Sequence, residues 1–453
     1  MVQVGDFEAV VLAAGKGSRM MELTAGKPKC LLPIGNYPMI WYPLRLLEKT
    51  GFNAAFVIVA ESSKNEIIST LDKLNLKIKL DLIGVSEDDL GTADSMRLIY
   101  EKVKKDCLVV SCDLIANVDI IPVLNLYRKN NASITALMLP VPKISDDCII
   151  AGPKNKQKPE TDLIGIEEKT NRLVFFASAS DFEENVFLPA RLSQKHTDFN
   201  IHSKLLDAHL YVMNKWVLKY LSFNKSFISI KGDFLPYIIS KQLAKPPKCF
   251  VDDKNTSIVK LNIKEDIQRF CSESYLDGLI REMSSFNDCQ TNLDNSYHDD
   301  IIRCYAYKVT EQCGLRANTI QMYSLANATI DKWWEFVNKD SKISPNATVK
   351  STQVQECRID NNALIDEKTS LKQSNIGAKS TIETKTRISN SIIMDNVTIK
   401  QKCAIINSIL CNGCVIEDET TIKNCLVGAK FTISSGQEHS HEMLTDADEL
   451  MEI

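Results

Sequence analysis

The sequence predicts an α/β domain built on a mostly parallel sheet, followed by a three-sided parallel β-coil. Three observations carry that expectation. Short, continuously apolar runs alternate with amphipathic helical stretches through the first half. A glycine-rich segment and a single acid, Asp113, follow two of those runs, at the strand ends where open α/β sheets collect their binding groups. Five gap-free units of 17 residues then repeat over 353–437. With 453 residues and 44% hydrophobic side chains, the chain is too long for one core and too apolar for disorder throughout.

Residues 7–14 (FEAVVLAA) read as a strand buried on both faces, ending in glycine-rich sequence. After Pro38, Ile40, Leu44 and Leu47 recur at about one helical turn, and Gly51 closes that helix. Residues 55–60 form the next strand, 65–75 a helix and 78–83 a strand. Over 92–105, Met96, Ile99, Tyr100 and Val103 share one helical face, with Thr92 as the expected N-cap. The strand at 107–112 then stops at Asp113. Further on, IGIEEKTNRLVFF reads as strand, turn, strand; 203–214 as a strand; and 228–242 as a helix ended by Pro246-Pro247. Residues 286–300 are polar and acidic, suited to a surface loop. A strand at 303–309 and a short aromatic helix at 329–337 follow, with Trp333, Trp334 and Phe336 placed to seal the coil or form a seam between the two halves. The expected organisation is an α/β domain (1–247), a linker or surface loop (248–300), a connecting strand and helix (301–344), the coil (345–437) and a short tail (438–453).

In the repeat, the second column is Val354, Leu371, Ile388, Ile405 and Ile422; the seventh is Ile359, Ile376, Ile393, Leu410 and Val427; the thirteenth is Ile365, Ile382, Ile399, Ile416 and Ile433. Steps of 5, 6 and 6 residues cannot keep one face of an α-helix. They describe a triangular coil that buries one branched side chain per side and stacks each on the turn below. The fifth column, Cys357, Ser374, Ser391, Ser408 and Cys425, supplies small residues for a tight place beside that core.

Charge and composition exclude several functions. With 54 basic against 58 acidic residues there is no basis for general nucleic-acid affinity. Apolar runs are strand-length, too short for a membrane span. The first eight residues lack the basic and apolar regions of a secretory signal, so the 14 cysteines read as reduced core residues of a cytosolic protein. Cys411-x-x-Cys414 invites a metal reading, but Cys414 shares its column with Ala363, Ser380, Val397 and Phe431, which argues for packing. None of the six histidines lies within the five turns, which removes the coil-edge base of an acyltransferase; His439 and His441 are expected to be solvated in the tail.

The segment Gly15-Lys16-Gly17-Ser18-Arg19 follows the first strand. Its glycines let backbone N–H groups approach a phosphate, Arg19 offers several donors, and Lys29 adds a mobile positive charge. It matches neither GxxxxGK[ST] nor GxGxxG, since Met20 stands at the third glycine of the latter. Three readings stay open: a working triphosphate site, a degenerate site that binds nucleotide or sugar nucleotide weakly, or a tight turn preserved for structure alone.

Residues 9–40 (AVVLAAGKGSRMMELTAGKPKCLLPIGNYPMI), with LGTADSMR at 90–97, VVSCDLI at 109–115, LDAHLY at 206–211 and the final MEI, resemble the gamma-subunit family of eukaryotic translation initiation factor 2B, a guanine-nucleotide exchange complex. More broadly, the chain is similar to sugar-phosphate nucleotidyltransferases that carry a left-handed β-helix of hexapeptide repeats. That resemblance implies the handedness of the coil. It also implies a nucleotide pocket at Gly15, Gly17, Arg19, Lys29, Gly91, Thr92 and Asp113, vestigial or weak, with Asp113 in the place of a Mg²⁺ ligand. The family's second metal carboxylate sits in a Trp-x-Asp-x-Gly-Thr-like segment, of which 250–253 (FVDD) is a faint echo. The sugar-phosphate Glu-Lys-Pro is replaced by Glu168-Lys169-Thr170, and Asp207 stands where such enzymes tend to have Asn. The resemblance therefore implies no catalytic residues, no metal and no required cofactor. It implies direct pairing with the epsilon subunit, assembly with the beta, delta and alpha subunits, and action on the GTPase initiation factor 2. The roughly sixteen residues after the last repeat are too few for the helical exchange domain of an epsilon subunit, which points to a supporting role. The alternatives are a sugar-nucleotide pyrophosphorylase such as a mannose-1-phosphate guanylyltransferase, or a β-helix scaffold of another role.

Overall fold

The computed structural model describes residues 3–86, 90–142, 152, 162–178, 185–244, 267–271, 301–334 and 342–445. The first half folds around a ten-stranded sheet. Third from one edge, Phe7–Ala13 runs parallel to Ala54–Ala60 on one side and to Asp106–Ser111 on the other, and Lys79–Val85 continues the parallel set to the edge. Phe7–Ala13 and Asp106–Ser111 lack alternation because both their faces are covered, whereas the edge strand Lys79–Val85 is largely exposed or half-buried. Ala9, Val11 and Ala13 face one core with the helices Trp41–Thr50, Lys64–Leu71 and Ile121–Lys129; Val10 and Leu12 face a second with Thr92–Ile99, Lys215–Phe223 and Leu235–Lys241. Gly51 ends the first of these helices at φ +105°, a left-handed position that glycine adopts without a Cβ penalty.

The sheet is mixed rather than mostly parallel. Leu205–Met213 inserts antiparallel between Asp106–Ser111 and Ile134–Pro140, and the hairpin Leu163–Glu167 with Arg172–Ala177 extends the far side. A chain that leaves the parallel core through a hairpin reverses direction, and local apolar runs do not encode that reversal. The expected linker, 248–300, lies outside the described residues except for 267–271. The last helix of this half is Ile320–Trp333, which begins nine residues earlier than expected because the Thr319 hydroxyl caps it, accepting from Met322 N at 3.2 Å. Trp334 packs against Trp41 and Tyr42, 5.8 and 5.7 Å between ring centroids, so it belongs to the α/β core. Phe336 lies outside the described residues.

Three parallel six-stranded sheets form the coil. The seventh and thirteenth columns, and the second from Leu371 on, are buried in one continuous core. Columns four, ten and sixteen are the corners, all at φ between 46° and 73°. Most are Asn, Lys or Glu, residues for which this conformation costs about 1 kcal/mol; stacked rungs offset it. In the fifth column Ser374, Ser391 and Ser408 each donate to a carbonyl two residues back at 2.8 Å, and accept from the next rung's N–H at 3.1–3.2 Å. This hydroxyl ladder satisfies backbone groups that the corners leave unpaired.

The coil continues past 437. Glu438–Ser440 pairs with Thr421–Lys423, and Met443–Leu444 with Leu426–Val427, making a sixth turn of what the sequence places in the tail. His439 falls in register with Ile422, where a polar ring ends the apolar column. Among the described residues no helix is long and apolar enough to cross a membrane. No disulfide joins any two of the eleven described cysteines, and all but Cys313 are buried.

Candidate functional site

Strand ends bring the predicted residues to one side of the sheet. Gly15 follows Phe7–Ala13, Ser62 and Ser63 follow Ala54–Ala60, and Asp113 follows Asp106–Ser111. A cleft of about 380 Å³ lies there, lined by Gly15, Lys16, Lys27, Lys29, Ser62 and Glu66 among others. Gly17 adopts φ +82°, with Thr24 Cγ2 only 3.0 Å from where a Cβ would be, so turn and packing both call for glycine. Arg19 is exposed at the end of a single 3₁₀ turn, Ser18–Met20. Larger hollows of about 560 and 700 Å³ sit at the opposite, amino ends of the strands, away from these residues.

Asp113 is buried and fully engaged. Arg316 Nε and Nη2 each donate to it at 3.1 Å, one to each carboxylate oxygen, and Lys29 Nζ binds the second oxygen at 2.7 Å. Burial pushes the Asp113 carboxyl up, but the Arg316 guanidinium and then the Lys29 ammonium prevail and hold it well below the ordinary value. Lys29, expected beside a phosphate, is turned to this carboxylate. The residues present do not fit a Mg²⁺ ion, because the carboxylate oxygens that would anchor it already carry two cations. Among the described residues, no three His, Cys, Asp or Glu side chains converge as a metal site.

Arg316 escaped the sequence reading. It ends the strand Gly314–Arg316, which pairs antiparallel with Leu114–Ala116 beside Asp113. Gly314-Leu315-Arg316-Ala317-Asn318-Thr319 has the length and the final threonine of the metal-binding pattern, with arginine in the third place where that pattern has aspartate. The weaker match at 250–253 lies outside the described residues.

Behind this ion pair lies a second polar group. Asp207 accepts from the Tyr211 hydroxyl and from His209 N at 3.1 Å, and Lys231 pairs with Asp162 at 3.0 Å. Burial pushes the Asp207 carboxyl up to about 6 even though Lys231 and Tyr211 pull it down. Burial, with Arg316 nearby, keeps His209 neutral, its pKa well below the ordinary imidazole value. Asp162, Asp207, Lys231, Arg316 and Thr319 line a small cavity of about 30 Å³, room for ordered water only. Glu168 is bound by Lys308 and by His202 at 2.9 Å, while the Lys169 side chain is 80% exposed and pairs with Asp198.

Gly91 and Thr92 meet protein instead of open space. A Cβ on Gly91 would sit 2.1 Å from the Ile228 carbonyl oxygen, Ala93 N donates to that oxygen at 2.9 Å, and the Thr92 hydroxyl accepts from Ile230 N at 2.8 Å. The N-cap is Gly91, one residue before the expected Thr92, because the hydroxyl serves this tertiary contact. Cys414 points into the coil core, whereas Cys411 faces the α/β domain with its thiol 3.7 Å from the Glu22 carbonyl. The Cys-x-x-Cys pair therefore faces two different environments.

Comparison with known proteins agrees with both halves. The family described as Nucleotidyl transferase matches residues 8–147, and the family described as EIF2B subunit epsilon LbH domain matches 334–438. The chain is 28% identical over 381 residues to the translation initiation factor eIF2B subunit gamma of Caenorhabditis elegans, covering 82% of this chain and 80% of the relative. It is 30% identical over 364 residues to the subunit of the same name from Schizosaccharomyces pombe, covering 76% and 74%. Similarity to the eIF2B subunit epsilon of S. pombe is 23% over 260 residues, 55% of this chain and 37% of the relative.

Proposed function

The chain belongs to the gamma-subunit family of translation initiation factor eIF2B, and from that premise we propose that it works as a supporting, noncatalytic subunit of the guanine-nucleotide exchange complex. Its nucleotidyltransferase fold is kept as a platform, joined to a left-handed β-helix. It pairs directly with the epsilon subunit, joins the beta, delta and alpha subunits in the cytosol, and raises GDP release from the GTPase initiation factor 2 by positioning the exchange-active partner. It requires no cofactor of its own.

The observation that carries the noncatalytic reading is the Asp113–Arg316–Lys29 cluster. Nucleotidyl transfer brings an attacking sugar phosphate and a nucleoside triphosphate to one metal-neutralised centre. Here Lys29 lines the outer cleft and Arg316 the inner cavity, so the cluster stands as a wall between the two. The inner space of about 30 Å³ is far smaller than the roughly 300–1,000 Å³ of ligand pockets. A sugar-nucleotide pyrophosphorylase would need that wall removed.

The test compares GDP release from the GTPase with the epsilon subunit alone and with epsilon plus this chain. Faster release with the pair is expected, and no gain over epsilon alone would overturn the supporting role. Incubation of the chain with GTP, mannose 1-phosphate and Mg²⁺ should release no pyrophosphate; sustained turnover would overturn the noncatalytic reading.

A further inference from the structure

The wall of the cleft formed by residues 24–29 is docked on the coil. Met20, Leu23, Cys30 and Leu31, on either side of it, share one apolar core with Ile392, Met394, Ile409, Cys411, Leu426 and Ala429 of the coil. At Gly26 the approach is so close that a Cβ would lie 2.6 Å from that of Ala429. Next to it Lys27 Nζ, which lines the cleft, pairs with Asp395 Oδ2 of the coil at 2.7 Å. Asp395 is itself fixed, its other oxygen accepting from Ala378 N at 2.9 Å on the neighbouring rung. The pair is mostly buried, 17% and 26% exposed, so solvent screens it less than a surface pair.

The two lysines of this wall are thus each tied to a carboxylate, Lys29 to Asp113 of the sheet and Lys27 to Asp395 of the coil. We propose that Asp395 is an autoinhibitory contact: the coil withdraws Lys27 from the cleft, and releasing that ion pair turns the cleft into a tighter site for polyphosphate anions. Movement of the coil and anion binding in the cleft are then linked, each favouring the state in which Lys27 is free. This inference concerns the cleft and does not depend on exchange activity.

The experiment uses the full chain and inorganic pyrophosphate as the probe, with binding measured by calorimetry at low ionic strength. Asp395→Asn removes the charge and keeps an oxygen for the Ala378 amide. It should bind pyrophosphate about five- to tenfold more tightly than the unaltered chain, the gain of one charge-assisted contact. Asp366→Asn frees Lys350, its partner at 2.9 Å on another face of the coil, and should leave affinity unchanged. Adding Lys27→Met to Asp395→Asn should cancel the gain. Hydrogen exchange at residues 24–29 should rise in Asp395→Asn while the strand Phe7–Ala13 stays protected, which separates release of the wall from unfolding. Unchanged affinity in Asp395→Asn, an equal gain in Asp366→Asn, a gain that survives Lys27→Met, or no pyrophosphate binding by any form would each overturn the proposal.

Discussion

Arg316 meets both carboxylate oxygens of Asp113 across 203 positions of sequence. The pair joins the strand ends of the sheet to the segment that opens the helix Ile320–Trp333, and that helix leads on to the coil. Its far end is tied there by Asn327, which accepts from Gly35 N and Asn375 Nδ2 at 2.9 Å each, and by Asp331, paired with Arg358. A position that sequence resemblance assigns to a metal ligand is, in this fold, part of a structural joint.

Removing one partner of such a joint leaves a buried charge without its main counter-charge. Arg316→Met should lower stability by about 3 kcal/mol or more, whereas Asp113→Asn combined with Arg316→Met should recover part of that loss. Urea denaturation near neutral pH reads both. The sign with pH follows from Asp113, whose folded-state carboxyl is held below its ordinary value. Its contribution is present above the unfolded pKa and lost as pH falls through the folded one. The gap between the unaltered chain and Arg316→Met should therefore narrow in acid below the ordinary carboxylate range. A gap independent of pH would argue against the ion pair as its source.

Asp207 has the opposite sign. Between its ordinary value of 3.8 and about 6, the unfolded chain gives up the proton while the folded chain keeps it. Stability from this group falls as pH rises through that window, by about 3 kcal/mol for two pKa units. Asp207→Asn abolishes the titration. Relative to the unaltered chain, the variant should gain stability between pH 4 and pH 7.5 in denaturation midpoints; a difference that stays flat would show the carboxyl is already ionised throughout the window.

In the coil, inward and outward positions should separate sharply. Ile399 is fully buried in the thirteenth column, and its neighbour Thr398 faces outward. Ile399→Ala should cost about 2–5 kcal/mol, and Thr398→Ala about 0.5 kcal/mol or less. Ser408→Ala removes a buried donor to the Ile406 carbonyl and an acceptor for Cys425 N, a loss of about 1–3 kcal/mol. Thermal denaturation of the full chain ranks the three, and equal effects at 398 and 399 would contradict the assigned faces.

The coil was legible because its period is local: one branched residue at a fixed step decides each rung. Its outward sixth and eighth columns are apolar in only some rungs, and there Ile392, Ile409, Leu426, Met394 and Cys411 mark the face that docks on the α/β domain. The phosphate loop and Asp113 were legible as motif positions. Arg316 was not, because a charge reversal breaks the pattern that would reveal it, and its partner lies across the fold. The strand Leu205–Met213 was found, but its direction was not, since orientation in a sheet depends on the path of the chain between strands and not on the strand's own residues.

Gly91 gives a prediction about the pocket rim. Sequence resemblance places it in a nucleotide pocket, while the geometry sets it against the backbone of Ile228. The two roles differ in what alanine would do. If the glycine only leaves room for a ligand, Gly91→Ala would fold normally and lose binding alone. With the Ile228 oxygen 2.1 Å from the new Cβ, backbone must move, and overpacking of this kind costs about 1–3 kcal/mol. The hydrogen bonds of Ala93 N to Ile228 and of Ile230 N to Thr92 would open with it. Amide exchange at Ala93 and Ile230 should accelerate at least tenfold in Gly91→Ala, with Thr92→Ala affecting Ile230 more than Ala93. Unchanged protection at both amides would mean that the rim is free to shift, and that Gly91 is not held by this contact.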